Sequence, residues 1–299
     1  MDPEIIEKVM QELENYPPGM GEIEGVALLK GVCDVWDTVY NFQARDGDIV
    51  VASYPKSGTT WMQEILDLIV QDGDVEKSQR ALGFIKVPFL EMGHTSLEVA
   101  NTMPTPRVLK THLPIQLMPP SFWEKDVKMV YIARNPKDCM VSYYYFYKMD
   151  QTLPDPETWD NFFSMFLKGS LAWGDWFDHV NGWWKAKDKH KILYIFYEDM
   201  IEDSRRELCK VMRFLGKDFS EDVVKKILHH TSFKAMKANP MINFSVFSES
   251  IFDQSVSSFM RKGTVGDWKN HFLVSQNIIF DNEYKKKMEG SGLEFRTEV

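Results

Sequence analysis

The stretch from Ile49 to Ile69 constrains this chain more than any other. Ile49-Val50-Val51-Ala52-Ser53-Tyr54 is short, apolar and β-rich, and Trp61, Ile65 and Ile69 then recur at helical spacing. A buried strand, a tight loop and a helix in that order form an anion-binding turn. The loop, Tyr54-Pro55-Lys56-Ser57-Gly58-Thr59-Thr60-Trp61, supplies the parts. Gly58 can adopt backbone angles closed to other residues, which lets amides turn inward, and the helix behind it aims its positive end at the same spot. Ser57, Thr59 and Thr60 add hydroxyls, and Lys56 adds a full charge. A plain helix start capped by Ser57 or Thr59 needs neither that glycine nor that lysine, so a cradle for a phosphate or sulfate group is expected. The order differs from the G-x-x-x-x-G-K-[ST] loop of triphosphatases, because Lys56 precedes Gly58.

Two further buried-strand candidates, Val127 to Ala133 and Ile192 to Tyr197, are each followed by a helical pattern. Alternating β and α predict an α/β fold: a central parallel sheet flanked by helices. With 299 residues, 44% of them hydrophobic, and no repeat or Gly/Ser linker, residues 1–299 are expected to form one domain. Asp2 before Pro3 reads as a helix N-cap, with Ile5, Val9 and Leu13 on the apolar face. The Trp-rich helical block from Trp159 to Trp184 reads as core packing. Met236 to Gly263 lacks periodicity and is expected to be a binding loop or lid.

Cys33, Cys139 and Cys209 show no C-x-x-C spacing, which favours reduced thiols and a cytoplasmic protein. The acidic start lacks the order of a signal peptide, and no uncharged apolar run reaches the ~20 residues of a membrane span. The short sequon Asn243-Phe244-Ser245 does not alter this expectation.

The 35 Lys and Arg against 44 Asp and Glu leave a net charge of −9, which argues against a nucleic-acid or acidic-membrane partner. An anionic ligand therefore requires a local basic site, and three segments offer one. Arg107 to Pro114 alternates like a strand, placing Lys110 and His112 on one face. His112, neutral near pH 7, could take a proton from an attacking hydroxyl while Lys110 stabilises oxygen charge, although two polar residues on a solvent face would look the same. Arg134-Asn135-Pro136-Lys137-Asp138 follows a strand, with Ser142 two helical turns on. Phe259-Met260-Arg261-Lys262-Gly263 sets two cations and a glycine beside apolar side chains, a composition suited to a phosphorylated nucleotide.

YPKSGTTW at 54–61, KTHLP at 110–114, ARNPKD at 133–138, FYEDM at 196–200, HTSF at 230–233 and FMRKGxxGDWK at 259–269 resemble the cytosolic sulfotransferase family, most of all its phenol-type, family 1 branch. The motifs stand in family order. The resemblance implies sulfuryl transfer from 3′-phosphoadenylyl sulfate (PAPS) to a hydroxyl or amine of a small acceptor, giving adenosine 3′,5′-bisphosphate (PAP) without a metal. It implies that Lys56 to Trp61 form a P-loop-like turn holding the 5′-phosphosulfate. Arg134, Ser142, Arg261, Lys262 and Gly263 would hold the 3′-phosphate, with Phe259 and Met260 beside them. Trp61, Tyr197 and Thr231 to Met236, including Ser232 and Phe233, would surround the adenine. His112 would be the general base, assisted by Lys56, Lys110 and Ser142.

The matching acceptor pocket is Phe89, Met92, Phe146, Phe244 and Ile251, beside Lys110, Thr111 and His112, an apolar slot suited to phenols. Steroids, iodothyronines and amines are the other acceptor classes. The family's dimer pattern K-x-x-x-T-V-x-x-x-E here reads Lys269, Leu273, Val274 and Ile278, with apolar residues in place of Thr and Glu. A monomer or an altered homodimer is expected. Two other readings compete: an ATP-dependent small-molecule kinase, with Glu198-Asp199 as a metal-binding strand end, and a nucleotide-binding module without catalysis.

Overall fold

An antiparallel hairpin, β1 (Met20–Ile23) with β2 (Val26–Leu29), precedes a four-stranded parallel sheet. The sheet consists of β3 (Ile49–Ala52), β4 (Val108–Thr111), β5 (Lys128–Ala133) and β6 (Ile192–Phe196), in the order β4-β3-β5-β6. These elements come from a computed structural model that describes residues 3–299. The N-terminal helix spans Pro3–Glu14, and the expected cap at Asp2 lies outside the described residues.

Side-chain alternation along β3 builds two cores. Val50 and Ala52 join Leu109, Met129 and Tyr131 under helices Pro136–Met149 and Trp176–Ala186. Ile49 and Val51 join Val108, Val130 and Ile132 against helices Thr59–Val70 and Ser204–Leu215. Both faces of the sheet are thus covered, as the near-continuous apolar strands require. Trp176 and Trp183 are fully buried, in keeping with the packing expected of the Trp-rich block.

Strand ends fall slightly short of the sequence expectation. Tyr54 lies beyond β3 in the loop, its hydroxyl donating to the Gly174 carbonyl at 3.1 Å, and Tyr197 opens the helix Tyr197–Glu202. The sheet neighbours of β3 come from opposite sides, β4 and β5, so a crevice opens at its C-terminal end. Ser53, His112, Arg134 and Tyr197, each the residue after a strand, converge on that edge.

Two irregular segments complete the crevice. Pro88 to Leu90 pairs with the free edge of β4, the Lys110 N–H donating to Pro88 and the Leu90 N–H to Lys110, each at 2.9 Å. Of the segment Met236 to Gly263, the first three residues finish the helix Phe233–Ala238, and the rest forms turns and a single bridge, Asp150 to Phe252, as the lack of periodicity predicted. Among the described residues no helix is long and apolar enough to cross a membrane.

Candidate active site

One cavity of about 560 Å³ occupies the crevice. Its floor is the loop after β3, where Lys56 (φ 66°) and Gly58 (φ 103°) both adopt left-handed backbone angles. A Cβ on Gly58 would stand 2.8 Å from the Tyr197 ring, so this position needs glycine twice over. Gly263 (φ 68°) packs under Phe233 as tightly, with a Cβ meeting the ring at 2.3 Å.

The cavity brings together Lys56, Gly58, Thr59, Thr60, Trp61, Arg134, Ser142, Tyr197, Thr231, Ser232, Phe233, Met236 and Phe259 through Gly263. Phe89, Met92, Lys110, His112, Phe146, Phe244 and Ile251 line its other half. Two expected residues do not line it. The Ser57 hydroxyl is buried against Cys139 Sγ at 3.8 Å, and Thr111 points away to Glu91 at 2.9 Å. Ser57 can therefore offer the cavity only its backbone.

Lys56 stands between the two halves. Its Nζ lies 4.6 Å from the Phe146 ring centre and 4.1 Å from that of Phe259. Burial, then repulsion from Lys110 and Arg134, lowers its pKa to about 7. The charged form thus carries a penalty of several kcal/mol, which an anion in the cradle would offset. Arg134 is held by the carbonyls of Lys56 and Thr264, both at 3.1 Å, with its guanidinium 4.4 Å from the Tyr197 ring centre. No carboxylate pairs with Lys56, Lys110 or Arg134 among the described residues, which suits a site for a multiply charged anion.

Arg261 and Lys262 both pair with Asp267, Arg261 at 2.7 Å. Their loop is clasped to the sheet edge by Asp138, whose carboxylate accepts from the backbone N–H of Gly266 at 2.7 Å and of Trp268 at 2.9 Å. Asn135 caps that helix by accepting the Asp138 N–H at 2.9 Å and donates its side-chain amide to the same carboxylate at 2.9 Å, so two distant motifs share one fastening.

His112 faces the acceptor half. Its Nδ1 lies 2.7 Å from the Ser53 carbonyl oxygen, a geometry that puts the hydrogen on Nδ1 and leaves Nε2 as the free acceptor. Burial, then Lys110, holds its pKa well below the usual histidine range, so it is neutral at pH 7. Phe89 and Trp173 meet the imidazole edge-on, with ring centres at 5.0 and 5.4 Å. Lys110 sits 4.3 Å from the Phe89 ring centre, its pKa lowered by burial to about 8. A neutral, oriented imidazole beside desolvated lysines can move a proton while they stabilise developing oxygen charge.

Sequence reasoning missed several participants. Trp173 comes from the block read as packing, yet it lines the cavity. Val9 and Leu13 of the N-terminal helix, Tyr16 and Asp150 also line it. Glu91 lies behind the wall. It was visible only as an acid directly after the apolar Val87-Pro88-Phe89-Leu90. The carboxylates that supported a kinase reading are engaged elsewhere: Glu198 accepts from Asn135 at 2.8 Å, and Asp199 pairs with Arg296. Neither lines the cavity, so that reading loses its support.

The fold and this cavity describe a parallel α/β protein in which lysine and arginine side chains stand beside a neutral histidine. Residues 46–292 match the model of the sulfotransferase domain. Human Sulfotransferase 1C2 is 54% identical over 282 residues, covering 93% of this chain and 95% of the relative. Sulfotransferase 1 family member D1 of Rattus norvegicus is 50% identical, covering 96% and 99%. Among solved structures, mouse sulfotransferase SULT7A1 complexed with PAP superposes with a TM-score of 0.75 at 33% identity, covering 91% of this chain and 96% of that one. Retinol dehydratase in complex with retinol and PAP gives 0.86 at 25% identity, covering 99% and 97%. The chain belongs to the sulfotransferase family.

Proposed function

We propose that the protein transfers a sulfuryl group from 3′-phosphoadenylyl sulfate to the hydroxyl, or amine, of a small and chiefly phenolic acceptor. The observation that carries this reading is the neutral His112, aimed by Ser53 into the same cavity as the unpaired cations Lys56, Lys110 and Arg134. The donor substrate supplies an activated sulfuryl group whose departure leaves negative charge on the bridging oxygen. Lys56 and the amides around Gly58 are placed to receive that charge. Arg134, Ser142, Arg261, Lys262 and Gly263 would hold the 3′-phosphate, and Trp61, Tyr197 and Phe233 the adenine. His112 Nε2 would take the acceptor's proton. No carboxylate set for a metal is needed in this scheme, and EDTA should leave turnover intact.

Aromatic and apolar side chains from Phe89, Met92, Phe146, Phe244 and Ile251 favour a planar acceptor ring. Among the described residues Asp150 is the one acidic side chain on the cavity wall. Its Oδ1 accepts twice from Thr152, at 2.9 and 2.7 Å, and no Lys or Arg pairs with it among the described residues. A phenol carrying a basic nitrogen would satisfy the other oxygen, so such acceptors are favoured. A screen with labelled donor across phenols, steroids, iodothyronines and amines tests the reading, and label in none of them overturns it.

Residues 1–299 act in this reading as one catalytic unit in the cytoplasm, consistent with three free cysteines. Leu273 and Val274, 61% and 80% exposed, adjoin exposed Ile278. Self-association there would bury these apolar side chains, and sedimentation at micromolar concentration measures it.

A further inference from the structure

We propose that Glu91 is a positioning residue for the transfer, a buried carboxylate that fixes His112 and the indole beside it from behind the cavity wall. The inference rests on His112 as the base.

Glu91 follows the strip that covers the edge of β4 and has no solvent exposure. Its Oε1 accepts the backbone N–H of His112 at 2.5 Å and the indole N–H of Trp173 at 3.2 Å. Its Oε2 accepts the Thr111 hydroxyl at 2.9 Å. That hydroxyl already accepts from the Leu113 N–H at 3.0 Å, so its own hydrogen is left for Glu91. Three donors around one carboxyl suit the ionised form, which accepts from all of them at once. The titratable groups that face it are Lys110 on β4, His112 just after it, and Tyr16 after the N-terminal helix. Burial pushes the Glu91 pKa up to about 7, so the charge is present above neutrality and lost below it.

Two of the donors, the amide of His112 and the indole of Trp173, belong to residues that line the cavity. Trp173 stacks on Phe89 at 6.3 Å, and both rings abut the imidazole. One carboxylate therefore anchors the backbone that carries the base and the aromatic sleeve that holds its angle. When His112 accepts a proton, an imidazolium forms near Lys110 and Lys56, whose charges oppose it. An anion behind the His112 amide offsets that opposition.

The test follows kcat against pH for the whole protein with a neutral phenol and saturating 3′-phosphoadenylyl sulfate. Wild-type kcat should fall as pH drops through about 7. Glu91→Gln should lower kcat roughly ten- to a hundredfold, the scale of a misplaced catalytic group. It should also flatten that acid limb and leave the affinity for adenosine 3′,5′-bisphosphate unchanged. Thr111→Val, which strips one donor from the carboxylate, decides the matter if Glu91→Gln does not fold. It should lower kcat and move the limb to higher pH, because a carboxylate with fewer donors is harder to ionise. Wild-type kcat with an unmoved limb in the folded variant overturns the proposal. So does a loss of nucleotide affinity equal to the loss of kcat, which marks general damage. A His112→Ala variant with normal turnover removes the base assignment beneath it, and this proposal with it. An inactive His112→Ala beside a wild-type-like Glu91→Gln removes this proposal alone.

Discussion

The carbonyl oxygen of Ser53 lies 2.7 Å from Nδ1 of His112, so the residue just after one strand fixes which nitrogen is free on the histidine just after its neighbour. The parallel pairing of Ala52 with Thr111 makes that contact unavoidable, since the next residue on each chain is Ser53 and His112. A sheet register thus becomes a choice of tautomer, and the tautomer sets the direction of proton movement.

His112→Ala should lower kcat by about two to four orders of magnitude, the usual weight of general base catalysis. Binding of adenosine 3′,5′-bisphosphate, measured by calorimetry, should be unaffected. Wild-type-like turnover would remove His112 from the base role.

Nucleotide binding should depend on pH through Lys56. Below about 7 the ammonium is charged and ready for an anion, whereas above it binding must take up a proton. Affinity for adenosine 3′,5′-bisphosphate should therefore weaken as pH rises through and beyond about 7. Proton uptake, read by calorimetry in buffers of different ionisation enthalpy, should appear in the same range. Lys56→Met should abolish both effects, and an affinity flat across that range would show that Lys56 stays charged throughout.

Arg261→Ala should act mainly on the nucleotide. Losing a charge-assisted contact to phosphate costs about 1.5–3 kcal/mol, or roughly ten- to a hundredfold in affinity. The KM for 3′-phosphoadenylyl sulfate should rise with little change in kcat. Unchanged affinity by calorimetry would mean that the Arg261 pairing with Asp267 persists and the phosphate is held elsewhere.

Asp150→Asn should separate acceptors by charge. Burial raises the Asp150 pKa to about 6, so at neutral pH most molecules carry the anion. For a phenol bearing an alkylamine the KM should rise roughly tenfold, the worth of one charge-assisted hydrogen bond. For a neutral phenol of the same size it should stay level or fall. Equal changes for both would assign Asp150 to loop structure through Thr152.

Much of this molecule was legible in the sequence because its chemistry is punctuated by backbone requirements. Gly58, Lys56 and the hydroxyls beside them announce a turn that few other arrangements need, and apolar runs announced β3, β5 and β6. What stayed hidden depends on distance in space. Glu91 reads as a solvated acid until the strip before it pairs with β4, and Asp150 until the irregular loop bridges to it at Phe252. Trp173 shares its composition with Trp176 and Trp183, and only its left-handed backbone (φ 65°), absent from any periodic pattern, marks it out. Thr111 was expected in the acceptor pocket with Lys110 and His112, but strand alternation turns it to the opposite face, where its hydroxyl meets the buried carboxylate of Glu91.

The Lys56 ammonium between the rings of Phe146 and Phe259 carries one more consequence. The commonest nucleophile in any cell is water, and an activated sulfate open to it would be spent as free sulfate. Here the charged half of the chamber gives way to aromatic surface at Lys56, the group proposed to steady the departing oxygen. Aromatic surface there would keep solvent out of the acceptor half. In the proposed reaction, restraint against hydrolysis, and not only speed toward a chosen hydroxyl, would follow from where those two rings stand.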